Sequence, residues 1–191
     1  MQTQTSLRAS GAAQYLLDIQ QAVEQISLDV VESLITLLLD AAWAGKTIYL
    51  IGNGGSAATA SHFACDLSKG TRGADRPRFR VVALTDNVPL ITAWANDVEY
   101  ADVFAEQLRN LCQPGDILIA ISGSGNSPNI LRAAAAATDA GATVVALTGA
   151  GGRLGPASDL WLQTPAGCIE QVEDLHLIVE HLVCRQLRER L

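Results

Sequence analysis

Within residues 117–127, ILIAISGSGNS, three hydroxyls stand close together: Ser122, Ser124 and Ser127, with Gly123 and Gly125 between them. An apolar run leads straight into this cluster, and residues 129–140 follow with the composition of a helix. Each hydroxyl can donate a proton, the glycines let the backbone close around a ligand, and the following helix adds N–H groups at its N-terminus. That combination holds an anion without help from lysine or arginine. The expected ligand is a phosphorylated small molecule. An ordinary strand-to-helix turn would use the same residue types and leave the hydroxyls in water.

A second loop, Gly52-Asn53-Gly54-Gly55-Ser56, also follows an apolar run and opens a helix. It approximates a dinucleotide fingerprint, yet Ala57 replaces the third glycine and no acidic residue lies where a ribose would need one. No Walker lysine follows either. Neither a nicotinamide nor ATP is expected, and no other nucleotide cofactor. What the loop offers is close approach to a sugar hydroxyl or carbonyl, with the Asn53 amide as both donor and acceptor.

Imidazoles and carboxylates form the third set. His62 and Asp66 are four residues apart, one above the other on a helix face. Near the end of the chain stand Glu173, His176, Glu180 and His181; Glu173 and Glu180 share a face, and Glu173 and His181 lie close to one side. Two histidine–carboxylate pairs on separate helices make the donor set of Zn2+ or a similar divalent ion. For His176 the alternative is a hydrogen bond in the core, and for His62 with Asp66 a surface pair.

Periodicity supplies the elements that must position these groups. Residues 12–43 carry apolar side chains at helical spacing, predicting two helices broken near Ser27, with Gly45 ending the second. Strands are expected at 47–52, 79–84, 116–121, 143–148 and 160–164, and helices at 56–67, 88–94, 100–111, 129–140 and 170–191. This alternation predicts a three-layer α/β/α sandwich around a five-stranded parallel sheet, with ligands outside the carboxyl ends of the strands. A single domain is expected over 1–191, comprising a helical segment at 1–45 and the sandwich at 46–191.

The formal charge of −7 and pI near 4.8 exclude a general nucleic-acid or membrane-surface binder. No long apolar run or basic leader appears, so a soluble cytoplasmic protein is expected. Cys65, Cys112, Cys168 and Cys184 show no C-x-x-C pairing and are expected to be free and mainly buried. Hydrophobic residues make up 49% of the chain against 17% charged, more than one small domain hides by itself, which predicts a homo-oligomer.

Taken together, GNGGSAATASHFACDL, the Asn96-Asp97 dipeptide, ISGSGNS, ALTG and EQVEDLHLIVEH resemble, in order, the phosphoheptose isomerases of the sugar isomerase (SIS) fold family. The resemblance implies an aldose–ketose isomerase converting sedoheptulose 7-phosphate to D-glycero-D-manno-heptose 7-phosphate. It implies that Ser122, Gly123, Ser124 and Ser127 bind the phosphate, while Asn53, Gly54, Gly55, Asp66, Asn96, Asp97 and Glu173 line the sugar. It further implies that His62, Asp66, Glu173 and His181 surround one divalent ion, usually zinc. For such an isomerisation the grouping of carboxylates with histidine makes Asp66 or Glu173 the expected base and His181 its acid partner. Tetramers with sites between subunits, in which the N-terminal helices take part, are also implied. Two departures stand out: the family commonly has glutamate where this chain has Asp66, and often glutamine where it has Glu173. Some relatives are non-catalytic phosphosugar-binding proteins, including one associated with the replication initiator. Those typically lose the histidine–carboxylate set, which this chain keeps.

Overall fold

Isoleucine, valine and leucine dominate the strands, and the central ones are buried on both faces, as a parallel sheet covered by helices requires. The computed structural model describes residues 11–191. Strands β1 (Thr47–Ile51), β2 (Arg80–Ala83), β3 (Ile117–Ser122), β4 (Thr143–Thr148) and β5 (Leu160–Gln163) form one sheet in the order β2-β1-β3-β4-β5, every pair parallel. The helices are α1 (Gly11–Val23), α2 (Leu28–Trp43), α3 (Gly55–Cys65), α4 (Val88–Asp97), α5 (Ala105–Leu111), α6 (Pro128–Asp139) and α7 (Ile169–Arg190).

Alternation along β3 divides the core in two. Ile117, Ile119 and Ile121 face a cluster with Leu34 and Leu38 of α2, Phe63 of α3 and Val179 and Val183 of α7. Leu118 and Ala120 face the opposite cluster, built with Leu108 of α5 and Ile130, Ala133 and Ala137 of α6. The three-layer sandwich expected from the sequence is the observed fold.

Several boundaries carry information. Ser27 breaks the N-terminal helices and caps α2, accepting from Val30 N at 3.5 Å. The single helix expected at 100–111 is instead a 3-10 turn (Tyr100–Asp102) followed by α5, and the interruption lets both Val103 and Phe104 reach the core. The helix carrying His62 runs on through a π turn (Asp66–Gly70) directly after α3. Of the cysteines, Cys112 and Cys184 are buried but Cys65 and Cys168 are exposed, so the expectation of mainly buried thiols is met by only half of them. Residues 1–10 of the expected N-terminal segment lie outside the described residues. Among the described residues, no helix is long and apolar enough to cross a membrane.

Strand order fixes where a ligand can enter. β1 and β3 are neighbours, with Ile51 opposite Ala120, while the chain leaving β1 goes to one side of the sheet and that leaving β3 goes to the other. A crevice opens at such a switch point, outside the carboxyl ends of the two strands. Both glycine-rich loops start there.

His176 lies on α7 with its side chain fully buried, and neither ring nitrogen meets a hydrogen-bond partner of good geometry. Burial pulls its pKa from 6.5 down to about 4, and the nearby Thr148 backbone only partly opposes this. The unfolded chain therefore binds a proton at a pH where the native protein does not. This contribution to stability is intact above pH 6.5 and is lost as pH falls toward about 4; the full loss is about 3 kcal/mol. Urea unfolding at a series of pH values should show a steeper acid decline for wild type than for His176→Leu, and parallel curves would refute it.

Candidate active site

The hydroxyl loop is shaped by its own hydrogen bonds. Gly125 turns at φ 61°, donates to the Ser122 carbonyl at 3.0 Å, and accepts from Arg153 N and Leu154 N at 3.0 and 2.9 Å. A Cβ at Gly125 would come within 2.9 Å of the Gly151 carbonyl oxygen, so the position has no room for a side chain. Ser124 Oγ accepts from Asn126 N at 3.2 Å, which leaves its proton for a ligand. Ser127 occupies the N-cap of α6, yet its side chain caps no helix N–H. Pro128 follows at the first helical position, where a missing N–H costs nothing.

Ser122, Gly123, Ser124 and Ser127 line a cavity of about 170 Å³ together with Asn53, Ser56 and Glu173. Asn53 enters it on a fixed amide. Its Nδ2 donates to Asn129 Oδ1 at 2.9 Å, while its Oδ1 accepts from Asn129 Nδ2 at 2.8 Å and from Tyr100 Oη at 2.9 Å. Asn129 and Tyr100 escape a sequence reading: one reads as a helix residue and the other as the start of a helix. The available signal was an amide in the first turn of the helix immediately behind the hydroxyl loop.

Glu173 reaches this cavity from α7 by lying against the N-terminus of α3. A Cβ on Gly55 would stand 2.3 Å from Glu173 Oε2, so the absence of a side chain at Gly55 makes the carboxylate's seat. A negative group is also favoured there by the helix dipole. Gly54, with φ 55° and ψ −121°, forms the N-cap that starts α3 beside this seat. Asn96 and Asp97 end α4, where Asn96 Nδ2 donates to Asp97 Oδ1 at 2.8 Å; neither lines the cavity, although the segment that follows sends Tyr100 to Asn53.

Further along the same two helices the imidazoles meet. His62 Nε2 and His181 Nε2 are 3.4 Å apart, His62 Nε2 is 3.9 Å from Asp66 Oδ2, and His181 Nε2 is 3.4 Å from Glu180 Oε2. One ligand atom from each of His62, Asp66, Glu180 and His181 can be chosen so that all lie within 4.8 Å of one another. Glu173 is not in this group within the chain, so of the four residues that the resemblance implies around the ion, one chain brings together His62, Asp66 and His181. Contacts between Gly55 and Glu173 and between His62 and His181 show that α3 and α7 run side by side in the same direction. Glu173 and His181 therefore sit at different heights, about 12 Å apart along the axis at 1.5 Å per residue. A shared helix face did not bring them to a shared point.

This group fits a divalent cation. Two imidazoles and two carboxylates are donors for the zinc class, and the two negative charges would balance the ion. Glu180 Oε2 is buried and has no hydrogen-bond donor among the described residues. Burial pushes the Glu180 carboxyl up, while the imidazoles of His181 and His62 act against that shift.

Comparison with known proteins places this architecture. The SIS domain family model matches residues 13–149. Over 170 residues the chain is 41% identical to the phosphoheptose isomerase of Azoarcus sp. (strain BH72), covering 87% of this chain and 80% of that protein. The chain belongs to the phosphoheptose isomerase family. The phosphoheptose isomerase of Mycobacterium tuberculosis (strain CDC 1551 / Oshkosh) is 42% identical over 149 residues, 78% of this chain and 76% of that one. The solved phosphoheptose isomerase of Neisseria gonorrhoeae superposes with a TM-score of 0.85 at 32% identity, covering 93% of this chain and 96% of that chain. The protein is thus an isomerase, and its five-stranded parallel sheet is the SIS fold.

A larger cavity in this phosphoheptose isomerase family member, about 550 Å³, opens at the amino ends of β1 and β2 and includes Lys46, Tyr49, Arg80 and Asp116. Much of its polar lining is already engaged. Lys46 Nζ donates to the Pro114 carbonyl, Tyr49 Oη to the Leu111 carbonyl, and Asp116 accepts from Thr47 N and Gln113 N. The smaller cavity at the switch point has the hydroxyls, amide and carboxylate that chemistry needs.

Proposed function

We propose that the chain is a cytoplasmic enzyme that interconverts sedoheptulose 7-phosphate and D-glycero-D-manno-heptose 7-phosphate. One observation carries this reading: the hydroxyl loop and the Glu173 carboxylate line the same cavity at the β1–β3 switch point. The names of the relatives and of the solved neighbour support the choice of sugar. Moving a carbonyl from C2 to C1 takes a proton from C1, passes through an enediolate, and returns a proton to C2. Ser122, Ser124 and Ser127 hold the phosphate, with Gly123 allowing close approach. Asn53, fixed by Asn129 and Tyr100, orients the sugar hydroxyls beside Gly54 and Gly55, while Asn96 and Asp97 stand outside the cavity, ahead of the segment that sends Tyr100 to Asn53. Glu173 removes the C1 proton, in preference to Asp66, because it shares the phosphate cavity whereas Asp66 lies beside His62.

His181 serves as the acid partner, acting through water or after release from the ion, since a ring nitrogen that ligates a metal carries no proton to give. Within one chain the histidine pair lies about 10 Å or more beyond Glu173 along the helices, past the reach of a sugar anchored at the serine loop. The His62 and His181 side chains are 43% and 51% exposed, free to complete the cavity of a neighbouring subunit. A homotetramer with sites between subunits is the assembly proposed. Leu16 and Leu28 at the N-terminal helices and Trp43 are each about two-thirds exposed and would be covered there. A divalent ion, zinc in this proposal, held by His62, Asp66 and His181 would polarise the oxygens on C1 and C2. Proton NMR of sedoheptulose 7-phosphate with the purified protein and zinc should show heptose 7-phosphate accumulating. Binding without conversion would replace the isomerase with a phosphosugar-binding protein.

A further inference from the structure

Side chains from two other segments converge on the amide of Asn53. Asn129, 2% exposed in the first turn of α6, forms a reciprocal pair with it, Nδ2 to Oδ1 in each direction at 2.9 and 2.8 Å. Tyr100 Oη donates to the same Asn53 Oδ1 at 2.9 Å. An asparagine amide has two N–H donors and two lone pairs. Both lone pairs of Asn53 and one of its N–H groups are thus taken, which leaves a single N–H for whatever enters the cavity. The reciprocal pair would be satisfied equally if both amides turned over together. Tyr100 breaks that tie, since a phenol donates more strongly than it accepts and so keeps Oδ1 on its own side.

Tyr100 is itself held from outside. The residue is 54% exposed and opens the 3-10 turn Tyr100–Asp102. Arg132 of α6 clamps this turn on both flanks, pairing with Glu99 immediately before Tyr100 and with Asp102 Oδ2, at 2.7 Å, two residues after it. Asn129 and Arg132 are three residues apart and so lie on one side of the helix. Ser127, which lines the cavity, is the N-cap of the same helix. About one and a half turns of α6 therefore carry a cavity hydroxyl, the partner of the Asn53 amide and the clamp on Tyr100.

We propose that Tyr100 and Asn129 are positioning residues of this site, acting through Asn53 to hold its amide as a donor only, toward an acceptor oxygen of the bound sugar, with Arg132 keeping Tyr100 in reach. The inference rests on the phosphosugar reading of the cavity and deepens it. The oxygen selected in this way turns a lone pair to Asn53: a carbonyl, or a hydroxyl whose own proton is given elsewhere. Loss of the Tyr100 hydroxyl lets the paired amides turn over, and Asn53 then presents an acceptor to the same oxygen.

The test is a double-mutant cycle on sedoheptulose 7-phosphate turnover with wild type, Tyr100→Phe, Asn53→Ala and the double variant. Tyr100→Phe should lower kcat/KM roughly 2- to 10-fold, the span of one neutral hydrogen bond. In the Asn53→Ala background the same change should alter kcat/KM by less than about 2-fold, because its effect travels through the amide. Asn129→Ala takes two bonds from that amide, so it should cost more than Tyr100→Phe and be equally silent once Asn53 is gone; if it does not fold, Tyr100→Phe carries the test. Arg132→Ala should have a smaller effect, shrinking as salt rises, as exposed ion pairs do. Inorganic phosphate as a competitive inhibitor reads the serine loop alone, and its Ki should be the same in wild type and Tyr100→Phe. Additive losses in the cycle would overturn the proposal, as would wild-type kcat/KM in Tyr100→Phe or a loss that the Ki for phosphate shares. If the wild type binds the sugar without converting it, the isomerase reading falls while the same cycle, read on Kd by calorimetry, decides this proposal: coupling upholds it and additivity overturns it.

Discussion

Glu173→Gln should lower kcat by roughly 100- to 10,000-fold, the range of a lost general base, with KM for sedoheptulose 7-phosphate nearly unchanged. The amide keeps the length and shape of the carboxylate and still fits the space left by Gly55, where a Cβ would meet the carboxylate at 2.3 Å. In the proposed site the phosphate rests on Ser122, Ser124 and Ser127, which the substitution leaves in place, so its binding should be untouched. What disappears is the ability to take a proton from carbon. Steady-state kinetics with the variant decides the matter, since a rise in KM with unaltered kcat would make Glu173 a binding group only. Glutamine is often found at the matching family position, where glutamate stands in place of Asp66. In this chain the shorter Asp66 lies 3.9 Å from His62 and does not line the cavity of the serine loop, so the proposed mechanism gives the burden to Glu173.

His181→Ala should cost at least as much, roughly 1,000-fold in turnover, and should weaken zinc binding as well. His181 stands between His62 and Glu180, 3.4 Å from each. Its removal takes away the proposed acid partner and one donor of the proposed ion site together. It also takes from the buried Glu180 carboxylate the imidazole that faces it at 3.4 Å, so the metal-free variant should unfold at lower urea than wild type. Half of the His181 side chain is exposed, and the α7 backbone has no need of it, so the fold itself should survive. Turnover measured beside far-UV circular dichroism separates the two effects. Near wild-type turnover would remove His181 from the reaction.

The sequence alone determined the layers, the two loops and the residue types of the site. Short runs rich in branched residues and closed by glycine, such as TIYLI and ILIAIS, read as buried strands, and the glycine-rich or hydroxyl-rich turn after each then lies at a strand's carboxyl end. Helical spacing likewise put His62 above Asp66. Tertiary structure decided which of these groups meet. That the loops of β1 and β3 are neighbours follows from the strand order, a property of the whole sheet that no local pattern encodes. Asn129 and Tyr100 became visible only when their partner Asn53, 76 and 47 residues away, was in place. The carboxylates of α7 show the same limit most clearly. A helical repeat fixes the direction in which a side chain leaves the axis, and by that measure Glu173 and His181 belong together. Their separation along the axis, and the partner helix each height meets, come from how α3 packs beside α7. That packing sends Glu173 to Gly55 and leaves Glu180 with the histidines.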